Sequence, residues 1–215
     1  MIGILDYGMG NLHSVASALK RLGVDGLVSS KQSHLEETDG LILPGVGAFK
    51  DAMNLLHADG HVEFIKDYAK RKPLLGICLG MQLLFNESEE HGLTEGLELL
   101  PGRVRRFPAG GYKVPHMGWN ELIVYQPQAP LIKHLKADYA YFVHSYYVET
   151  EDKSLLIATA DYGIEVPAIV GRGKVFGTQF HPEKSGEFGL NLLSHFCQLS
   201  ERGVIYDAIY HLSRH

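Results

Sequence analysis

The sequence predicts an α/β protein: an open mixed sheet, largely parallel, with helices on both faces and added antiparallel strands in its second half. Two patterns carry this. Up to Phe85, short apolar runs alternate with helical periodicity at the spacing of strand, crossover helix and parallel strand. From Arg103 onward, strand-like segments follow one another too closely for helical crossovers, which implies hairpins. With 215 residues the chain can bury one sizeable core, so a single domain over 1–215 is expected.

The elements follow in order. Ile2–Leu5 is a first strand, and from Asn11 to Leu22 the residues Leu12, Val15, Ala16, Leu19 and Leu22 share one helical face, with Gly23 as the stop. Leu27–Ser29 is a weak second strand. Leu41–Leu43 is a third, ended by the breaker cluster Pro44-Gly-Val-Gly47 and followed by helices over Ala48–Ala58 and Val62–Arg71. Leu74–Ile77 is the fourth strand and feeds a helix over Leu79–Phe85. Strands are then expected at Arg103–Phe107, Trp119–Tyr125, Tyr141–Tyr146, Leu155–Thr159, Ala168–Val170 and Val175–Phe180, before a last helix over Phe188–Leu199. The tail from about Leu199 to His215 has no assigned role; a short extra helix is its expected form.

Composition excludes several classes. Twenty Lys and Arg against 25 Asp and Glu give a net charge of -5, without the basic tract that tracks a phosphate backbone, so nucleic acid is not an expected partner. Met1–Asp6 lacks the basic region of a signal peptide, and no apolar run reaches membrane-spanning length. A soluble, cytoplasmic protein is expected, with no membrane partner. The two cysteines, Cys78 and Cys197, form no CxxC pair, and reduced thiols are the expected state.

Gly76-Ile-Cys-Leu-Gly80 lies between an apolar strand and a helix, the setting of a nucleophile elbow, where a helix N-terminus favours both a thiolate and a developing oxyanion. A buried cysteine that packs a strand on a helix fits the same motif, and the motif alone leaves both readings open. In Gly177-Thr-Gln-Phe-His-Pro-Glu183, His181 and Glu183 lie two apart, so an extended backbone at a strand end projects them to one side. That is a base and its orienter, although a surface turn would use the same residues. Pro182 holds His181 extended. Pro44-Gly-Val-Gly47 closes a strand at the same predicted edge, where a turned peptide at Val46 can present an N–H to an oxyanion; an ordinary strand-to-helix turn is the alternative. Gly8-x-Gly10 lacks the third glycine of a dinucleotide fingerprint, since His13 occupies its place, and no P-loop lysine follows. His57 and His61 have helical metal spacing, but Gly60 interrupts them and no second cluster exists, so both are expected on the solvated surface.

Together, GICLGMQLL, QFHPEKS, PGVGAF, DYGMGNLHSV, VPHMGWN and YFVHSYY resemble the class I, triad-type glutamine amidotransferases, and among them the glutaminase subunits of imidazole glycerol phosphate synthases. The resemblance runs from residue 1 to about residue 198. It implies a three-layer, flavodoxin-like fold and a catalytic triad of Cys78, His181 and Glu183. It implies oxyanion donors on the backbone of Leu79 and of Val46 or Gly47, and glutamine binding by Gly47, Gln82, Ser145 and Tyr146. No cofactor or metal is implied. The implied partner is a (β/α)8-barrel cyclase subunit, which receives ammonia and faces Asn11, Met117, Trp119, Tyr146 and Lys184. For Trp119 the alternative is core packing, and for Lys184 a solvated charge. Other glutamine-dependent synthases, a γ-glutamyl hydrolase and a non-enzymatic binding module compete with this reading; the PHMGWN segment argues against the first, and intact Cys78, His181 and Glu183 against the last.

Overall fold

A computed structural model describes residues 1–136 and 138–201. The chain runs β1 (Ile2–Leu5), α1 (Leu12–Arg21), β2 (Gly26–Ser29), α2 (Gln32–Glu36), β3 (Gly40–Gly45), α3 (Phe49–Ala58), α4 (His61–Arg71), β4 (Leu74–Cys78) and α5 (Leu79–Leu83). It continues with β5 (Glu87–Ser88), β6 (Thr94–Glu95), β7 (Arg103–Arg106), β8 (His116–Val124), β9 (Tyr139–His144), β10 (Tyr146–Glu149), β11 (Leu156–Asp161), β12 (Glu165–Arg172), β13 (Val175–Thr178) and α6 (Gly186–Glu201). The tail helix expected beyond α6 lies outside the described residues. No helix among the described residues is long and apolar enough to cross a membrane.

Nine strands form one sheet in the order β2-β1-β3-β4-β13-β12-β11-β8-β9. The pairs from β2 through β13 are parallel and those from β13 to β9 antiparallel. Alternation along the parallel strands divides the core in two. Ile2, Ile4, Ile42, Leu75 and Ile77 pack with Val15 and Leu19 of α1 and Leu192, Leu193 and Phe196 of α6. Leu5, Leu41, Leu43 and Leu74 pack with α2 to α5, through Leu35, Phe49, Met53, Ile65, Tyr68 and Leu83. Helices therefore cover both faces, as the alternation of apolar runs predicts.

The departures from expectation are local. β3 runs on through Pro44 and Gly45, because pairing with β4 continues to Gly45 opposite Cys78. The helix after Cys78 ends at Leu83, where the N–H groups of Leu84 and Phe85 reach back only three residues, to Met81 and Gln82. The expected strand Tyr141–Tyr146 is two strands: at Ser145 the chain leaves the large sheet for a second, four-stranded one, β10-β7-β5-β6. His61 is buried, not solvated, because it shares the inward face of α4 with Val62, Ile65 and Tyr68; His57 is exposed.

Strand direction brings the interesting residues together. β3, β4, β13 and β9 all point the same way, so Gly45, Cys78, Thr178 and His144 end at one edge of the sheet. The sheet also curls, as twisted sheets do. Although β9 is at the far end of the strand order, the Val143 carbonyl oxygen lies 3.9 Å from Cys78 Sγ.

Candidate active site

Cys78 closes β4 and caps α5 with φ 55° and ψ -112°, a left-handed conformation costly for a residue bearing a Cβ. The surroundings enforce it. A Cβ added to Gly80 would lie 1.8 Å from the Leu43 carbonyl oxygen, and one added to Gly76 would lie 2.5 Å from the Gly80 oxygen. The glycines on either side thus let β3, β4 and α5 meet backbone to backbone, and the turn lifts Cys78 to the sheet edge. Beside it, Gly47 takes φ +97°, a glycine conformation, and the Tyr7 hydroxyl donates to the Pro44 carbonyl at 2.9 Å, holding the start of this turn.

His181 lies three residues beyond β13. Its backbone is extended, as Pro182 demands, but Pro182–Lys184 then forms a 3-10 turn instead of continuing the strand. The turn brings Glu183 round to His181: Nδ1 lies 2.8 Å from Glu183 Oε1. The side chains are 4% and 0% exposed. The other carboxylate oxygen, Oε2, is buried without a hydrogen-bond partner, so the charge is spent on the imidazole. Burial, the largest influence on His181, disfavours its charged form. Hydrogen bonds with Cys78 and Glu183, and the charges on both, outweigh that and raise its pKa to about 10. β9 holds the segment in place, since the His181 N–H donates to the Tyr141 carbonyl at 3.1 Å.

A cavity of ≈ 370 Å³ opens above Cys78, lined by Val46, Gly47, Leu79, Gln82, Glu90, Pro115, Val143, His144, Ser145, Tyr146 and His181. That is a volume for a small metabolite. All of the residues singled out in the sequence for nucleophile, oxyanion and substrate contacts border it except Glu183, which stands behind His181. Of the five expected to face a partner, Met117 and Trp119 are 60% and 56% exposed, which removes core packing as the account of Trp119. Trp119 packs edge-on against Tyr141. Lys184 is exposed, and Asn11 and Tyr146 are half-buried.

Three residues escaped the sequence reading. Glu90 lines the cavity and accepts the Phe49 N–H at 2.8 Å, which caps α3. Gln179 is fully buried, accepts from Gln82 Nε2 at 3.0 Å and turns its own Nε2 to Cys78 Sγ at 3.9 Å. His144 is the third. Gln179 and His144 each interrupt an apolar strand pattern, a signal that was available; nothing local marks Glu90. Among the described residues no group of three or more metal-ligating side chains occurs. A thiol, an imidazole backed by a carboxylate, and N–H groups at a helix start form a set suited to acyl transfer through a thioester.

Residues 3–198 match the family model "Glutamine amidotransferase class-I". The chain is 55% identical over 210 residues to the imidazole glycerol phosphate synthase subunit HisH of Halalkalibacterium halodurans, covering 95% of this chain and 98% of that one. To the subunit of the same name from Bacillus subtilis it is 50% identical over 206 residues, 93% and 97% of the two chains. In fold it resembles a crystal structure of a glutamine amidotransferase, with TM-score 0.75 at 24% identity over 93% of this chain and 98% of that one. The structure of PurLQS from Thermotoga maritima aligns with TM-score 0.73 at 19% identity, over 92% of this chain and 97% of that one.

Proposed function

The chain belongs to the class I glutamine amidotransferases, and within them to the HisH subunits of imidazole glycerol phosphate synthase, and from that premise we propose how its residues release ammonia from glutamine. Cys78 Sγ attacks the side-chain amide carbon. The tetrahedral oxyanion is received by the N–H of Leu79 and, after a peptide turn, that of Val46 or Gly47. His181, oriented by Glu183, gives a proton to the leaving nitrogen, and ammonia departs from a γ-glutamyl thioester. Water, deprotonated by His181, then cleaves the thioester to glutamate and restores the thiol. The observation that carries this reading is the imidazole held between Cys78 and Glu183 at the mouth of one cavity.

Polarity inside the cavity supports glutamine as substrate. Gln82 Nε2 spends both protons, on the Tyr146 carbonyl at 2.9 Å and Gln179 Oε1 at 3.0 Å, so only its carbonyl oxygen is left for a ligand. With the Glu90 carboxylate this makes an acceptor pair for the α-ammonium group, while Gly47, Ser145 and Tyr146 wall the rest.

Ammonia in neutral water is mostly protonated and no longer nucleophilic, so it must be used before it equilibrates. The exposed Met117 and Trp119, with Asn11, Tyr146 and Lys184, are the proposed contact with a (β/α)8-barrel cyclase subunit. That subunit consumes the ammonia to make imidazole glycerol phosphate and AICAR in the cytoplasm. Cys78→Ala tests the scheme: glutamate release should vanish while the variant still copurifies with the cyclase. Unchanged glutamate release would overturn it.

A further inference from the structure

Two sequence motifs each contribute a histidine that the proposed chemistry does not use. His116 opens β8 and His144 closes β9, and the antiparallel register sets them opposite each other. Both are buried. His116 Nδ1 lies 3.0 Å from His144 Nε2, and His144 Nδ1 lies 2.8 Å from the Tyr146 carbonyl oxygen. Asn120 Nδ2 lies 3.2 Å from His116 Nε2 and 3.0 Å from the Asp161 carbonyl oxygen.

These contacts can be satisfied in one direction only. A carbonyl oxygen accepts, so His144 carries its proton on Nδ1. Burial keeps this ring neutral, lowering its pKa to about 3 against the pull of the Tyr146 carbonyl, and its Nε2 must therefore accept. The donor is His116 Nδ1–H. His116, lowered to about 4 by burial, is neutral too, and its Nε2 accepts from Asn120. The second Asn120 proton is taken by Asp161, which fixes how that amide faces. Every donor thus points the same way, from Asn120 through His116 and His144 to Tyr146. Phe142 and Tyr162 stack on His116 at centroid distances of 4.5 and 3.8 Å, so the ring has little freedom to turn.

The chain of bonds ends at the corner where the backbone passes from β9 to β10, and that corner is a wall of the cavity. The Tyr146 carbonyl that receives His144 also receives Gln82, which meets Gln179, which faces Cys78. At its other end, the chain starts on β8, which presents Met117 and Trp119 to the outside between His116 and Asn120. We propose that His116 and His144, oriented by Asn120, are positioning residues for the glutamine pocket: their one-directional hydrogen bonds hold the Tyr146 carbonyl, and through it Gln82, where the substrate is received. The proposal rests on the glutaminase reading above. It places the exposed strand and the pocket wall on one set of fixed bonds.

Two measurements test it. Nitrogen NMR of the histidine-labelled full chain at neutral pH should find both rings neutral with the proton on Nδ1; an Nε2–H tautomer or a charged ring at either position overturns it. Kinetics in the assembled synthase should then separate donor from packing. His116→Phe keeps a ring between Phe142 and Tyr162 but offers His144 no proton, whereas His116→Asn supplies an N–H and gives up the stacking. Loss of a buried donor predicts a glutamine KM raised about tenfold or more in His116→Phe, with kcat changed less. His116→Asn should stay within about threefold of the original KM even where its Tm is the lower of the two. KM that follows Tm in both variants, or moves in neither, overturns the positioning role. Absence of glutamate release from the unmodified synthase would overturn the glutaminase reading and this proposal together. Normal turnover with KM tracking Tm overturns this proposal alone.

Discussion

Replacing Glu183 with glutamine probes the electrostatics on which the proposed triad depends. The His181 Nδ1 to Glu183 Oε1 distance of 2.8 Å, taken with an effective dielectric constant of about 20, gives an attraction of about 6 kcal/mol. Burial opposes it, at several kcal/mol for each ion taken from water. The balance is visible in His181: burial lowers its pKa, yet the hydrogen bonds and charges of Cys78 and Glu183 carry it from 6.5 to about 10. At about 1.4 kcal/mol per pH unit, the imidazolium is favoured by about 5 kcal/mol. Since the folded value lies above the unfolded one, this stability is whole below pH 6.5, fades as pH rises towards 10 and is lost beyond it. In Glu183→Gln that charge is gone while Cys78 still opposes burial, so the His181 pKa should fall well below 10 and keep part of its rise. The variant should therefore trail the unmodified protein by about 3 kcal/mol near pH 6 and by under about 1 kcal/mol near pH 10. Urea unfolding across that range measures the gap, and NMR titration of the ring locates the pKa. Glutamine turnover should drop by about 10³–10⁴-fold, as when an imidazole loses its orienting carboxylate. A stability difference that does not change with pH, or a His181 midpoint still near 10 in the variant, would refute the reasoning.

Gly80→Ala should cost about 3 kcal/mol or more, because its Cβ would lie 1.8 Å from the Leu43 carbonyl oxygen, a strand backbone that cannot move aside. Thermal unfolding checks this, and a Tm within a degree of the original would contradict the close packing of β3 on α5. Glu90→Gln keeps an acceptor for the Phe49 N–H but removes the charge offered to an ammonium group. The glutamine KM should rise about tenfold or more with kcat little altered, and an unchanged KM would discard Glu90 as a substrate contact.

Legibility in the sequence followed the range of the interactions. The parallel half was readable because its strands and longer helices are each defined by their own periodicity, from Ile2–Leu5 to Leu74–Cys78; the five-residue α2, too short to show a helical period, was not. The elbow was readable for the same reason: its glycines, its cysteine and the strand before it are contiguous. Trp119 was not, since a tryptophan in a strand pattern suits a core and a partner face equally until its neighbours are known. The break at Ser145 was hidden because YFVHSYY is continuous in β propensity and only pairing divides it, with Tyr141 opposite Trp119 and Tyr146 opposite Arg106. Glu90 was hidden for a related reason. What makes it notable is a partner 41 residues away, and no local pattern encodes that.

The two halves of the fold divide the chemistry between them, and β9 joins them. The parallel strands supply a strained, rigid mount for Cys78, whose geometry is enforced by backbone contacts that no side-chain motion relaxes. Beyond that mount lie the parts that the proposed reading assigns to substrate and partner: the segment bearing His181 after β13, the Ser145 corner and the exposed face of β8. Because the sheet curls, β9 touches all three. Its Tyr141 carbonyl holds the His181 backbone, its Val143 carbonyl faces Cys78, and His144 fixes the corner beyond it. Displacement of β9 would shift the imidazole and the substrate wall against a nucleophile that stays put. On the proposed reading, a contact on β8 would act on the imidazole and the substrate wall and leave the mount of Cys78 unchanged.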